Sequence, residues 1–91
     1  MKALPGNVNL YWTSLDFTED SLPANLGESH QTGEDTWAKI VVLEGRLRYC
    51  ILAPEAKEYE LSSSRPGIVE PAVPHRVEPI EQVRFRLEFY C

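Results

Sequence analysis

This chain has no apolar run approaching the roughly 18 residues that a membrane-crossing helix requires. Its first residues, Met1 and Lys2, lead straight into Leu4-Pro5-Gly6, with none of the apolar core of a signal peptide. A cytoplasmic protein is the expectation. Cysteine is scarce as well: Cys50 and Cys91 are the only two, too few for a disulfide scaffold. Cys50 lies in Leu47-Arg48-Tyr49-Cys50-Ile51-Leu52 and reads as a reduced, buried thiol. There is no Gly-rich phosphate loop, no Cys-x-x-Cys pair and no dinucleotide fingerprint. An excess of positive charge is missing too. The net charge of −5 speaks against nucleic acid and anionic membranes as partners, because both repel a negative chain. Arg46/Arg48 and Arg84/Arg86 alternate with other residues, as one face of a strand does.

What is present is a β pattern. At 91 residues and 43% hydrophobic content, the chain is expected to form one globular domain, 1–91, with a small core. Seven prolines exclude long helices, and no segment sustains a 3.6-residue apolar stripe. The cleanest strand closes the sequence: Val83, Phe85, Leu87 and Phe89 face inward, and Arg84, Arg86 and Glu88 face outward. Trp37, Lys39, Val41 and Leu43 alternate with Thr36, Ala38, Ile40 and Val42, a largely apolar strand with two faces that look buried. A second run, Leu47-Arg48-Tyr49-Cys50-Ile51, follows Glu44-Gly45-Arg46, and the three residues between read as a hairpin turn. Shorter strands are expected at 10–13, 26–30, 58–61, 67–70 and 75–78, although 57–61 could also form a helical turn. Short strands separated by dense turn signals make a sandwich or a barrel.

Histidine occurs only twice, which narrows the search for chemistry. In Leu26-Gly27-Glu28-Ser29-His30, strand alternation puts Leu26, Glu28 and His30 on one face. His75 shares its face with Val77. If Leu26 and Val77 point inward, then Glu28, His30 and His75 do as well. Two imidazoles and a carboxylate suit a divalent transition metal with open positions for water or substrate. The same histidines would equally serve as hydrogen-bonded core residues, with Glu28 a solvated rim carboxylate. Ser29 beside His30 makes no nucleophile–base pair, since adjacent strand residues point to opposite faces. Glu78 has the wrong parity to act as a base beside His75.

Several short motifs occur in order along nearly the whole chain: Ser21-Leu22-Pro23, Glu28-Ser29-His30-Gln31-Thr32, Thr36-Trp37-Ala38-Lys39-Ile40 and Val42-Leu43-Glu44-Gly45. Val69-Glu70-Pro71, His75-Arg76-Val77-Glu78 and Phe89-Tyr90-Cys91 complete the series. Together they resemble a small cupin-like family typified by the N-terminal domain of tellurite-resistance protein B. The resemblance implies a cupin-type double-stranded β-helix, a jelly-roll barrel. It also implies a metal site at Glu28, His30 and His75 for a divalent ion such as zinc, nickel or iron. The sequence departs from the general cupin pattern in places. His-x-His becomes Glu28-x-His30, and the expected carboxylate position falls on Ala38. In the tellurite-resistance proteins a methyltransferase that uses S-adenosylmethionine follows this domain, and methyl transfer is not expected of this chain.

The leading expectation is therefore a metal-binding cupin linked to tellurite, oxyanion or metal stress, with no catalytic residue assigned. The alternative is a module without metal that binds a small molecule or oxyanion, with Arg84, Arg86 or Lys39 at the mouth, or that pairs as a homodimer.

Overall fold

The computed structural model describes residues 1–22 and 32–91. Among them there are six strands: β1 (Leu10–Thr13), β2 (Phe17–Thr18), β3 (Trp37–Ile51), β4 (Lys57–Leu61), β5 (Gly67–Val69) and β6 (His75–Tyr90). No helix of the described residues is long and apolar enough to cross a membrane. The expected strand at 26–30 lies outside the described residues. All pairings are antiparallel and belong to one sheet, with the main path β1-β6-β3-β4.

The spine of the sheet is the β3–β6 ribbon, which pairs from Trp37 opposite Tyr90 to Ile51 opposite His75 with two register shifts on the way. Along the far side of β3 run β5, paired with Ala38, Lys39 and Ile40, and β4, paired with residues 47–51. Along the far side of β6 run β1 and β2. Two side chains complete the ladder where those short strands break off. Ser14 Oγ accepts the Leu87 N–H at 2.9 Å, and Glu19 Oε1 accepts the Val83 N–H at 2.8 Å. Buried amides are thereby paired where no strand is available to pair them.

One expectation is corrected. Glu44-Gly45-Arg46 is not a hairpin turn, because β3 runs unbroken through it. Gly45 adopts φ +75° inside the strand, and register shifts fall between Val42 and Glu44 and between Gly45 and Arg46. Leu43 is the extra residue on β3, while Glu81 and Gln82 are extra on β6. One added residue flips strand parity and two preserve it. The inward residues of β3 are accordingly Ala38, Ile40 and Val42 before the bulge, and Leu47 and Tyr49 after it. In β6 they stay odd throughout: His75, Val77, Val83 and Phe85 are all buried. The strand expected at 58–61 is found as β4, and the helical turn that 57–61 could also have formed is not.

The bulge also bends the sheet. Lys39 and Tyr49 lie ten residues apart, about 33 Å if β3 were straight. Yet the Tyr49 hydroxyl donates to the Ile68 carbonyl at 3.1 Å, and Ile68 pairs with Lys39. That contact is reachable only if the two halves of β3 fold toward each other. The curl wraps the inner face around Ile40, Leu47, Tyr49, Leu61, Val69 and Phe85, each no more than 1% exposed. The all-β expectation thus holds as a single curled antiparallel sheet. Among the described residues its hydrogen-bonded path does not return on itself, so the sheet is open and not a closed jelly-roll barrel.

Candidate functional site

Of the three residues singled out for a site, His75 is placed by the structure, and Glu28 and His30 lie outside the described residues. His75 opens β6, is 4% exposed, and shares the inner face with Val77 as strand parity requires. Its Nδ1 lies 3.1 Å from the Val73 carbonyl. A carbonyl only accepts, so Nδ1 carries a proton in that bond. The ring also meets Tyr49 edge-on, with centroids 5.8 Å apart.

Tyr49 is the residue that sequence reasoning passed over. It sits opposite Val77 on β6 and opposite Tyr59 on β4, so an aromatic row Tyr59–Tyr49–His75 crosses three strands. Burial drives its phenol pKa well above the ordinary value, with Glu70 and Tyr59 adding to the effect. The hydroxyl is therefore a neutral hydrogen-bond donor and not an acid at ordinary pH. A signal was available: a tyrosine at an inward position must find an acceptor for its hydroxyl, which marks it as more than packing.

The outward side of this half is closed by ion pairs. Arg48 reaches Glu58 at 3.1 Å and Glu78 at 2.6 Å, while Arg76 reaches Glu78 at 2.9 Å. Glu78 faces away from His75, as its parity demanded, and its carboxyl is held below the usual range, chiefly by the hydrogen bond from Arg76. Arg84 and Arg86 are likewise engaged, with Glu44 at 2.9 Å and Glu88 at 3.3 Å. They do not stand as unpaired cations at a mouth. A cleft of about 610 Å³ opens elsewhere among the described residues, over the bulges between Glu19, Glu44, Glu81, Gln82 and Arg84.

A single curled antiparallel sheet makes the described residues a small all-β domain. The TehB-like domain profile matches residues 13–87, and the chain belongs to the TehB-like family. It is 35% identical over 80 residues to a protein of Haemophilus influenzae strain KW20/Rd named a probable S-adenosyl-L-methionine-dependent methyltransferase, TehB. The counterpart in H. influenzae strain 10810 is 34% identical over 80 residues. Each alignment covers 82% of this chain and 28% of the relative, so the chain spans little more than a quarter of their length. The crystal structure of H. influenzae TehB superposes with a TM-score of 0.86 at 32% identity, over 94% of this chain and 32% of that one. A crystal structure of a protein from Escherichia coli K12 superposes with a TM-score of 0.87 over all of this chain and 97% of its own. At 16% identity that likeness shows the fold alone.

These findings overturn the reading as a metal-binding cupin. The relatives are named for S-adenosylmethionine-dependent methyl transfer, not for a metal. Among the described residues, no three His, Cys, Asp or Glu side chains are grouped to hold an ion. The expected zinc, nickel or iron cofactor is corrected on that ground.

Proposed function

We propose that this chain is a β-domain that serves TehB-type methyl transfer on the side of the small acceptor molecule. The observation that carries this reading is its 35% identity, over 82% of its length, to a protein named for S-adenosylmethionine-dependent methyl transfer. The described residues do not fit S-adenosylmethionine itself. An adenosyl group needs an apolar slot for the base and donors for its carboxylate. The cleft over the bulges offers carboxylates instead, and its Arg84 is already paired with Glu44. Methyl donation is therefore assigned to a separate catalytic portion, and no step is routed through these side chains.

The part assigned to this chain is to receive a small oxyanion of the tellurite type. His30 and His75 are the donors that would meet it, Glu28 accepting only from an O–H of its protonated form, and the inward placement of His75 supports its share of that role. We read the curled sheet as an opened cupin-type jelly roll forming one domain over 1–91, in keeping with the ordered motifs.

The test uses H. influenzae TehB lacking the segment that matches this chain, assayed with labelled S-adenosylmethionine and selenite. Adding this chain should raise methyl transfer, and selenite alone should raise its melting temperature, as a ligand that binds only the native state does. The His75→Ala variant should lose that shift. No effect on turnover and no selenite-dependent stabilisation would defeat the reading.

A further inference from the structure

Of the nine lysine and arginine side chains in the sequence, most are held by a partner. Lys2, Arg46, Arg48, Arg76, Arg84 and Arg86 are in ion pairs. Arg65 lies over the Tyr59 ring, 5.4 Å from its centroid. Lys39 stands on the outer face of β3, since its neighbours Ala38 and Ile40 are inward. Lys57 is left, and among the described residues it makes no ion pair.

Strand geometry gives Lys57 a particular place. Alternation along β4 puts it on the same face as Tyr59, which stacks on Tyr49, and Leu61, which is buried. Lys57 pairs with Ile51, and Ile51 pairs on its other side with His75. Lys57, Ile51 and His75 thus form one inner-face row across β4, β3 and β6, at the end of the curled sheet. Two strand spacings separate the lysine from the histidine, about 10 Å between Cα atoms. A four-carbon stem and one small anion can span that gap together. A pocket of about 180 Å³ opens at this end, and Ile51, Glu55, Lys57, Glu70 and Val73 are in its lining. Val73 joins the pocket to His75, because its carbonyl is the one that Nδ1 of His75 meets. The Glu70 carboxylate is answered by Lys2 at 3.3 Å. Among the described residues, Lys57 and Glu55 are therefore the unanswered charges in the lining. The volume lies below the roughly 300 Å³ at which sites for drug-sized molecules begin, and it suits an inorganic ion.

We propose that Lys57 is the cation that binds the acceptor ion, with Glu55 accepting its hydroxyl, so that the pocket takes a singly protonated oxyanion such as hydrogen selenite. This rests on the reading of the chain as the receiver of a small oxyanion. Lysine carries its charge through the whole neutral range, which histidine does not. A carboxylate beside it repels a fully ionised oxyanion, but accepts a hydrogen bond from one that keeps an O–H. The place at the mouth expected for Arg84, Arg86 or Lys39 is thereby taken by a residue of β4, which sequence alternation alone did not bring next to His75.

Thermal melting of the full chain with selenite or selenate, near neutral pH and at matched ionic strength, tests it. Selenite keeps a proton over much of that range and selenate keeps none. Selenite should raise the melting temperature and selenate should not. Lys57→Gln should weaken selenite binding about tenfold or more, as loss of a charge-assisted hydrogen bond does, and Lys57→Arg should restore most of it. Lys39→Gln, on the outer face, should leave it unchanged. Selenite stabilisation that survives Lys57→Gln, or that falls equally in Lys39→Gln, overturns the proposal while the oxyanion reading stands. Equal stabilisation by selenate also overturns it, because Glu55 then plays no part. No stabilisation of the wild-type chain by selenite overturns both.

Discussion

The hydroxyl of Tyr49 donates to the carbonyl of Ile68 at 3.1 Å, tying the second half of β3 to the strand that borders its first half. Tyr49→Phe keeps the ring and removes the bond, leaving a carbonyl in a buried setting without that partner. The expected cost is about 1–3 kcal/mol, read as a lower urea midpoint.

The same phenol predicts a pH response. Its folded pKa is raised above the unfolded value, so the folded state favours the neutral form. That stabilisation is fully present below the unfolded pKa and is lost as pH rises from there toward the folded pKa. In a spectrophotometric titration of the four tyrosines, one should stay silent through the normal phenol range and ionise only with unfolding. Tyr49→Phe should remove that late step.

Gly45 cannot be replaced quietly. Its φ is +75°, and a Cβ there would overlap the Gln82 carbonyl oxygen, a backbone atom that cannot swing aside. Gly45→Ala should lose at least about 2 kcal/mol by chemical denaturation, from left-handed strain plus the clash. A variant of wild-type stability would show that the bulge is not built as described.

Much of the fold was legible in the sequence, and the misreadings have a common physical source. β1 was expected at 10–13 and is found there, and the inward and outward residues of the closing strand follow its alternation. Period-two patterning survives wherever a strand has one buried face. The turn expected at Glu44-Gly45-Arg46 failed because a glycine at positive φ looks the same in a hairpin as in a bulge. Only the pairing partner tells them apart, and that is non-local. His75 was legible because its neighbour Val77 sets the parity. Tyr49 was not, since its partner is 19 residues away in β5.

Glu78 gives an acid-side prediction. Hydrogen bonding from Arg76, with Arg48 adding attraction, lowers its carboxyl pKa. A lowered pKa stabilises the fold above the unfolded carboxyl value, and that contribution fades as pH falls through the folded one. The group is exposed, so the effect is small and screened by salt. A carboxyl-carbon NMR titration should find Glu78 among the last to protonate, and Arg76→Gln should bring it back toward the ordinary range.

The two thiols should separate cleanly. Cys50 is buried and burial pushes its pKa up, whereas Cys91 is exposed. A thiol reagent should modify one cysteine per native chain and two after denaturation. Rapid reaction of both in the native protein would contradict the packing around Cys50.

The odd residue in β3 has a consequence for how this chain can vary. Leu43 sets the two halves of the strand half a period out of phase, and the paired extra residues Glu81 and Gln82 leave β6 in phase with itself. Removing one residue between Val42 and Leu47 would not merely shorten a loop. Taking out the odd residue would restore an unbroken alternation, keeping Leu47 and Tyr49 inward while erasing the bulge and with it the bend that brings the Tyr49 hydroxyl to Ile68. The spacing from Ile40 to Tyr49 is thus a counted interval whose one odd residue sets the curl of the sheet, a property that side-chain substitution alone cannot supply.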